Sequence, residues 1–163
     1  MQQVSRVVQC PVCLDSQVHS NLMEKKLEEL FKDKPDAVFF ILHYCKYCHL
    51  VDDLEDGEAA NDTLREVGAL ATIVYNCNYW RKYSQTLLLV DVLIQNAYFD
   101  SVKWEKLSTT LPNWKKRDAK VLARSGYNMI FAVIYLEFGH EKLNELSLAF
   151  REETHLKQGH DKL

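Results

Sequence analysis

The sequence predicts an all-α fold, an antiparallel bundle of about six helices in a single domain over residues 1–163, and two observations carry that expectation. Only five glycines and three prolines punctuate 163 residues. Between them apolar residues recur at helical spacing rather than alternating as in strands. With 47% apolar and 26% charged residues, the composition is that of an ordinary globular chain and excludes disordered and fibrous classes.

Taken in order, the first helix is expected over Asn21 to Lys32 behind Ser20 as N-cap, with Leu22, Leu27, Leu30 and Phe31 as its apolar face. The second is expected from Pro35 to Asp56. Proline is tolerated in a first turn, where its missing N–H costs nothing, and Gly57 follows the end. The third spans Ala59 to Tyr83, with Leu64, Val67, Ala71, Val74 and Asn78 as one stripe. The fourth covers Ser84 to Lys106, and its run Leu87-Leu88-Leu89-Val90 followed by Val92-Leu93-Ile94 reads as the central, most buried helix. Pro112 breaks the chain, the fifth helix runs from Asn113 to Phe138 and stops at Gly139, and the sixth runs from Glu141 to Leu156. Residues 1–19 form an N-terminal arm and 157–163 a polar tail.

Short connections favour antiparallel neighbours, so helices two, four and six should share one direction. Their C-terminal ends would then meet, bringing together Asp52, Asp53 and Asp56, then Asn96, Asp100 and Glu105, then Glu152, Glu153 and His155. Carboxylates at helix C-termini oppose the macrodipole, at a cost of about 0.3 to 1 kcal/mol each, and a divalent cation would offset it. A solvated acidic helix end is the plainer reading of the same residues.

The stretch His43-Tyr44-Cys45-Lys46-Tyr47-Cys48-His49-Leu50-Val51-Asp52-Asp53-Leu54-Glu55-Asp56-Gly57 resembles the first aspartate-rich motif of the isoprenoid synthase superfamily, most closely its squalene and phytoene synthase branch. The resemblance implies a reduced isoprenoid synthase fold in which Asp52, Asp53 and Asp56 hold magnesium for a prenyl diphosphate. Gln95-Asn96-Ala97-Tyr98-Phe99-Asp100 is similar to the second motif, without its arginine before Asp100 and with Glu105 as the further acid. On that basis Asn96 and Asp100 hold a second ion, while Arg81 and Lys103 steady the diphosphate. The function implied is a magnesium-dependent prenyl diphosphate-binding protein or a minimal prenyl synthase-like enzyme.

The alternative is a non-enzymatic helical interaction protein that keeps the fold, with a structural zinc site at Cys10 and Cys13. Cys10-Pro11-Val12-Cys13 is half of a zinc knuckle, His19 is a third candidate ligand, and Cys45-Lys46-Tyr47-Cys48 supplies a second Cys-x-x-Cys. The second pair lies inside helix two, where buried cysteines packing as small apolar groups are the commoner case.

Weaker signals complete the reading. Asp91 lies in the apolar run with Gln95 one turn on, and a buried polar pair is favoured. Glu152-x-x-His155 is half of a di-iron pattern, and a solvated helix end is favoured. Trp114-Lys115-Lys116-Arg117 with Lys120 and Arg124 opens helix five as a basic stretch, more a solvated face than a phosphate contact. A net charge of −3 argues against nucleic acid as the main partner. No segment is apolar enough for a signal peptide or a membrane span, so a cytoplasmic location is expected, and a homodimer is compatible with the sequence.

Overall fold

The computed structural model describes residues 25–57, 61–107 and 112–156, with side chains placed through residue 150. Among these residues every regular element is helical. Residues 25–30 belong to α1, followed by α2 (Pro35–Asp56), α3 (Thr63–Asn76), α4 (Asn78–Lys106), α5 (Asn113–Ala123), a 3-10 turn (Arg124–Gly126) and α6 (Tyr127–Leu156). Ser20 and residues 21–24 of the expected first helix lie outside the described residues, as do the arm and the tail.

The limits of α2 are those expected. Pro35 stands at its start, and Gly57 closes it in the left-handed conformation, φ 72°, where a Cβ would be strained. The expected boundary between helices three and four moves from Tyr83 to Cys77. Cys77 is extended (φ −67°, ψ 161°), its thiol donates to the Val74 carbonyl at 3.2 Å, and Sγ accepts from the Trp80 N–H at 3.4 Å. Sulfur thus caps the new helix, and Tyr79 and Trp80 of its first turn pack on Phe40 with ring centroids 5.5 and 6.0 Å away. Tyr83 remains a bend inside α4 (φ −119°, ψ 18°).

The expected fifth helix is interrupted at Arg124–Gly126, where a serine-glycine pair tightens the chain into a 3-10 turn. The expected stop at Gly139 stands. Its φ of 80° and ψ of −175° lie outside the helical region within α6. Phe131 and Phe150 nevertheless touch, with centroids 6.5 Å apart. Nineteen residues of straight helix would separate them by roughly 28 Å, so the chain doubles back at Gly139.

Contacts at successive heights fix the directions. Phe40 meets Tyr79, Tyr44 meets Asp91, Asp52 meets Tyr98 and Glu55 meets Lys106, so α2 and α4 run side by side in the same sense. On the other flank Lys115 lies near Trp104 and Ser125 donates to the Ile94 carbonyl at 3.3 Å, so α5 runs against α4. Phe31 packs against Phe138, and Lys34 pairs with the buried Glu137 at 2.8 Å, tying α1 and the start of α2 to the end of the first half of α6.

The buried centre is that first half of α6, not α4. Tyr127, Met129, Ile130, Phe131, Val133 and Ile134 are all buried, against Phe31, Phe40, Ile41, Tyr44, Val74 and Leu87. In α4 only Leu87, Asp91 and Ile94 of the apolar run are buried, whereas Leu88, Leu89, Val92 and Leu93 are 52%, 69%, 55% and 69% exposed. The run is apolar on all sides, but a single stripe of it meets the bundle. In α3, Leu70 and Val74 face inward and the expected Leu64 is exposed.

Candidate functional site

The seam between α2 and α4 carries two polar rungs about two helical turns apart. In the first, the Asp91 carboxylate, 3% exposed, accepts from the Tyr44 hydroxyl at 2.7 Å, the Tyr75 hydroxyl at 3.0 Å and Gln95 Nε2 at 2.8 Å. The expected pairing with Gln95 is present, and two phenols complete it. Burial raises the Tyr44 and Tyr75 hydroxyls far above the ordinary tyrosine range, with the neighbouring acid adding to the effect, so both remain donors at any physiological pH. Cys45 and Cys48 are half-buried and pack against the core at this height.

In the second rung the chemistry changes sides. Here α4 supplies the phenol and α2 the acid, with Tyr98 Oη donating to Asp52 Oδ1 at 2.8 Å. Asp52 is 8% exposed. Burial first, and then Asp52 itself, push the Tyr98 hydroxyl well above its usual range. Beyond this rung the ends of α2 and α4, two of the three acidic ends expected to meet, form an acidic pole. Glu105, half-buried, has its carboxyl pushed up to about 7 by burial and then by the charges of Asp56 and Asp52, against which Lys120 pulls it down. Its Oε1 is buried and finds no hydrogen-bond partner among the described residues. Lys106 reaches Glu55 at 3.5 Å across the same pole.

The remaining expected residues are distributed less favourably. Asp53 turns along its own helix toward His49, whose Nδ1 lies 3.7 Å away. Asp100 accepts from Asn96 Nδ2 at 3.4 Å and from Lys103 Nζ at 3.3 Å on the exposed side of α4. Lys103 is therefore at the acidic end. Arg81 is not: it stands in the first turn of α4, about five turns from Asp100, and cannot steady an anion there. Lys115 lies over the Trp104 and Trp114 rings instead of reaching the pole. Cys10, Cys13 and His19 fall outside the described residues, as do the side chains of Glu152, Glu153 and His155. Among the described residues no three His, Cys, Asp or Glu side chains are placed to hold one metal ion.

Tyr98 and Lys120 were not singled out as partners of the acids by sequence. Tyr98 falls seven residues after Asp91, and Asp52 eight after Tyr44, so each helix repeats a polar position on its inner stripe after two turns. That repeat is the signal that could have exposed the second rung.

No protein-family profile, curated protein or solved structure matches the chain. Among the described residues no helix is long and apolar enough to cross a membrane.

Proposed function

We propose that the acidic pole formed by the ends of α2 and α4 binds magnesium together with a prenyl diphosphate. The observation that carries this reading is Glu105: a half-buried carboxyl beside Asp52 and Asp56, with a buried oxygen that has no hydrogen-bond partner among the described residues and a pKa pushed up to about 7. Such a cluster gains from a cation, which would relieve the mutual repulsion of the acids. Magnesium takes only one or two carboxylates when diphosphate oxygens and water complete its octahedron, so a three-residue protein cage is not required. Asp56 and Glu105 would hold the ion, with Asp52 fixed behind them by Tyr98. Bound there, magnesium supplies positive charge to the diphosphate. Lys103 and Lys106 stand near the same end of α4. The resemblance of Asp52-Asp53-Leu54-Glu55-Asp56 to the isoprenoid synthase motif supplies the ligand class.

The test is thermal unfolding of the full chain with magnesium, with a prenyl diphosphate, and with both. A native-state ligand at about 100 times its dissociation constant adds about 2.7 kcal/mol, or roughly 5–10 °C in Tm for a chain of this size. The shift should require both components and disappear in Asp56→Asn and Glu105→Gln. No shift at saturating ligand overturns the reading. A shift with inorganic pyrophosphate as large as with the prenyl compound would remove the hydrocarbon from the specificity.

A second reading, a helical interaction module, is favoured by the exposed apolar side chains Leu88, Leu89, Val92 and Leu93. Under it, Asp56→Asn leaves every ligand response unchanged.

A further inference from the structure

Charge is unevenly shared along this chain. Its net charge is −3, yet α5 sets Lys115, Lys116, Arg117 and Lys120 against a single acid, Asp118, within 11 residues. The lysines at the end of α4 are answered by acids, Lys103 by Asp100 and Lys106 by Glu55. Those of α5 are not. Lys116, Arg117 and Lys120 are all exposed and make no ion pair among the described residues. Lys120 acts on the Glu105 carboxyl through its charge alone.

Burial shows which way α5 faces. Ala119 is buried, Leu122 and Ala123 are half-buried, and Ser125 just past the helix donates to the Ile94 carbonyl, so that side lies on the bundle. At 100° per residue the opposite side is ordered across its width. Lys116 and Lys120 form one edge, Trp114 and Val121 the other, and Arg117 runs between them. Trp114 is 52% and Val121 60% exposed. Single exposed apolar residues are ordinary on a surface. Here two of them stand in line, two turns apart, beside cations that lack counter-charges. Lys115, half-buried, lies 5.9 Å from the centre of the Trp104 ring and 5.4 Å from that of Trp114, which holds Trp114 at the start of the helix.

We propose that this face of α5 docks on a bilayer bearing anionic phospholipid, with the helix lying in the plane of the interface. Lys116, Arg117 and Lys120 meet lipid phosphates, while Trp114 and Val121 enter the boundary between headgroups and acyl chains, where an indole N–H stays wet. A polynucleotide would use the same cations but leave the apolar edge, Val121 above all, without a partner. The contact needs neither the exposed side of α4 nor the acidic pole, so it stands whether or not that pole binds a diphosphate.

Co-sedimentation of the full chain with vesicles of phosphatidylcholine alone, and of phosphatidylcholine with phosphatidylglycerol, tests the docking in the presence of EDTA. The expected result is binding to the mixed vesicles only, weakening as salt rises. Each basic side chain at an anionic surface is worth about fivefold in affinity, so Lys116→Glu with Lys120→Glu should weaken binding by at least about 25-fold. Trp114→Ala should weaken it about tenfold, the loss of one partly inserted ring. Helical circular dichroism should be unchanged in both variants, because the substituted side chains face solvent. Vesicle binding that survives the double lysine variant overturns the assignment to α5. So does its loss in Leu89→Lys, which would place the contact on α4. Equal binding to both kinds of vesicle, or to neither, overturns the role of anionic lipid. Displacement from the mixed vesicles by double-stranded DNA at equal phosphate concentration overturns it in favour of nucleic acid. EDTA keeps magnesium from bridging the acidic pole to lipid phosphate, so none of these outcomes turns on diphosphate binding.

Discussion

Two regions of one seam treat a buried acid in opposite ways. Asp91, midway along α2 and α4, receives three hydrogen bonds and has its carboxylate fully accommodated. Glu105, near the end of the same helix, has a buried oxygen with no hydrogen-bond partner among the described residues, and the acids Asp56 and Asp52 outweigh Lys120 in its surroundings. A charge without a counter-cation can be stabilised by neutral donors alone when they are convergent and themselves locked against ionisation. Where such donors run out, the same helices leave a carboxyl that resists losing its proton. The first region joins α2, α3 and α4, and the second gathers acids where α2 and α4 end.

The contrast is broken most directly at Asp91. Asp91→Ala strips two phenols and an amide of their acceptor and should destabilise by about 3 kcal/mol in chemical denaturation. Asp91→Asn keeps an acceptor and should cost less than half as much. A loss below about 1 kcal/mol for the alanine variant would mean that the three donors are as well served elsewhere. Tyr98→Phe removes one partly buried bond to Asp52 and should cost about 1 kcal/mol.

The smallest effect has the opposite sign. The folded-state Glu105 carboxyl titrates at about 7, against a reference value of 4.5. Its contribution to stability is therefore complete below about pH 4.5 and lost as pH rises through 7. Glu105→Gln should stabilise at pH 8 by less than about 1 kcal/mol, since the group is half in solvent, and change little at pH 5. Equal effects at the two pH values would show that Glu105 ionises normally. Glu137 provides the converse case. Burial alone would raise its carboxyl, but Lys34 holds it below the usual range, so that contribution is present near neutrality and lost on acidification.

Much of the architecture was legible because its signals are local. Pro35 and Gly57 bracket α2, Pro112 precedes α5 and Gly139 marks the reversal in α6, each through a backbone property of its own residue. The Cys77 boundary was not legible, since a thiol acting as a helix cap lacks the serine or aspartate signature by which starts are read. Nor was the exposure of α4: a run apolar on every side does not say which stripe meets the bundle, and the contacts of Leu87, Asp91 and Ile94 decide it. At the candidate site, the common end of α2 and α4 followed from loop lengths alone. The pairing of Asp52 with Tyr98 depends on rotation and register between helices, to which the two-turn polar repeat points without naming the partner; the turn of Asp53 toward His49 is an i,i+4 contact within α2, and the remoteness of Arg81 is a matter of its position along α4.

Gly139 has one further consequence. Its φ of 80° and ψ of −175° are the mirror image of the extended conformation every L-residue adopts with ease. No atom outside the immediate chain lies within 4 Å of where a Cβ would stand. An L-alanine there would suffer from handedness alone, whereas a D-alanine introduced by chemical ligation would sit in its preferred basin and stiffen the reversal by restricting the unfolded chain. Chirality, rather than size, is what this corner selects.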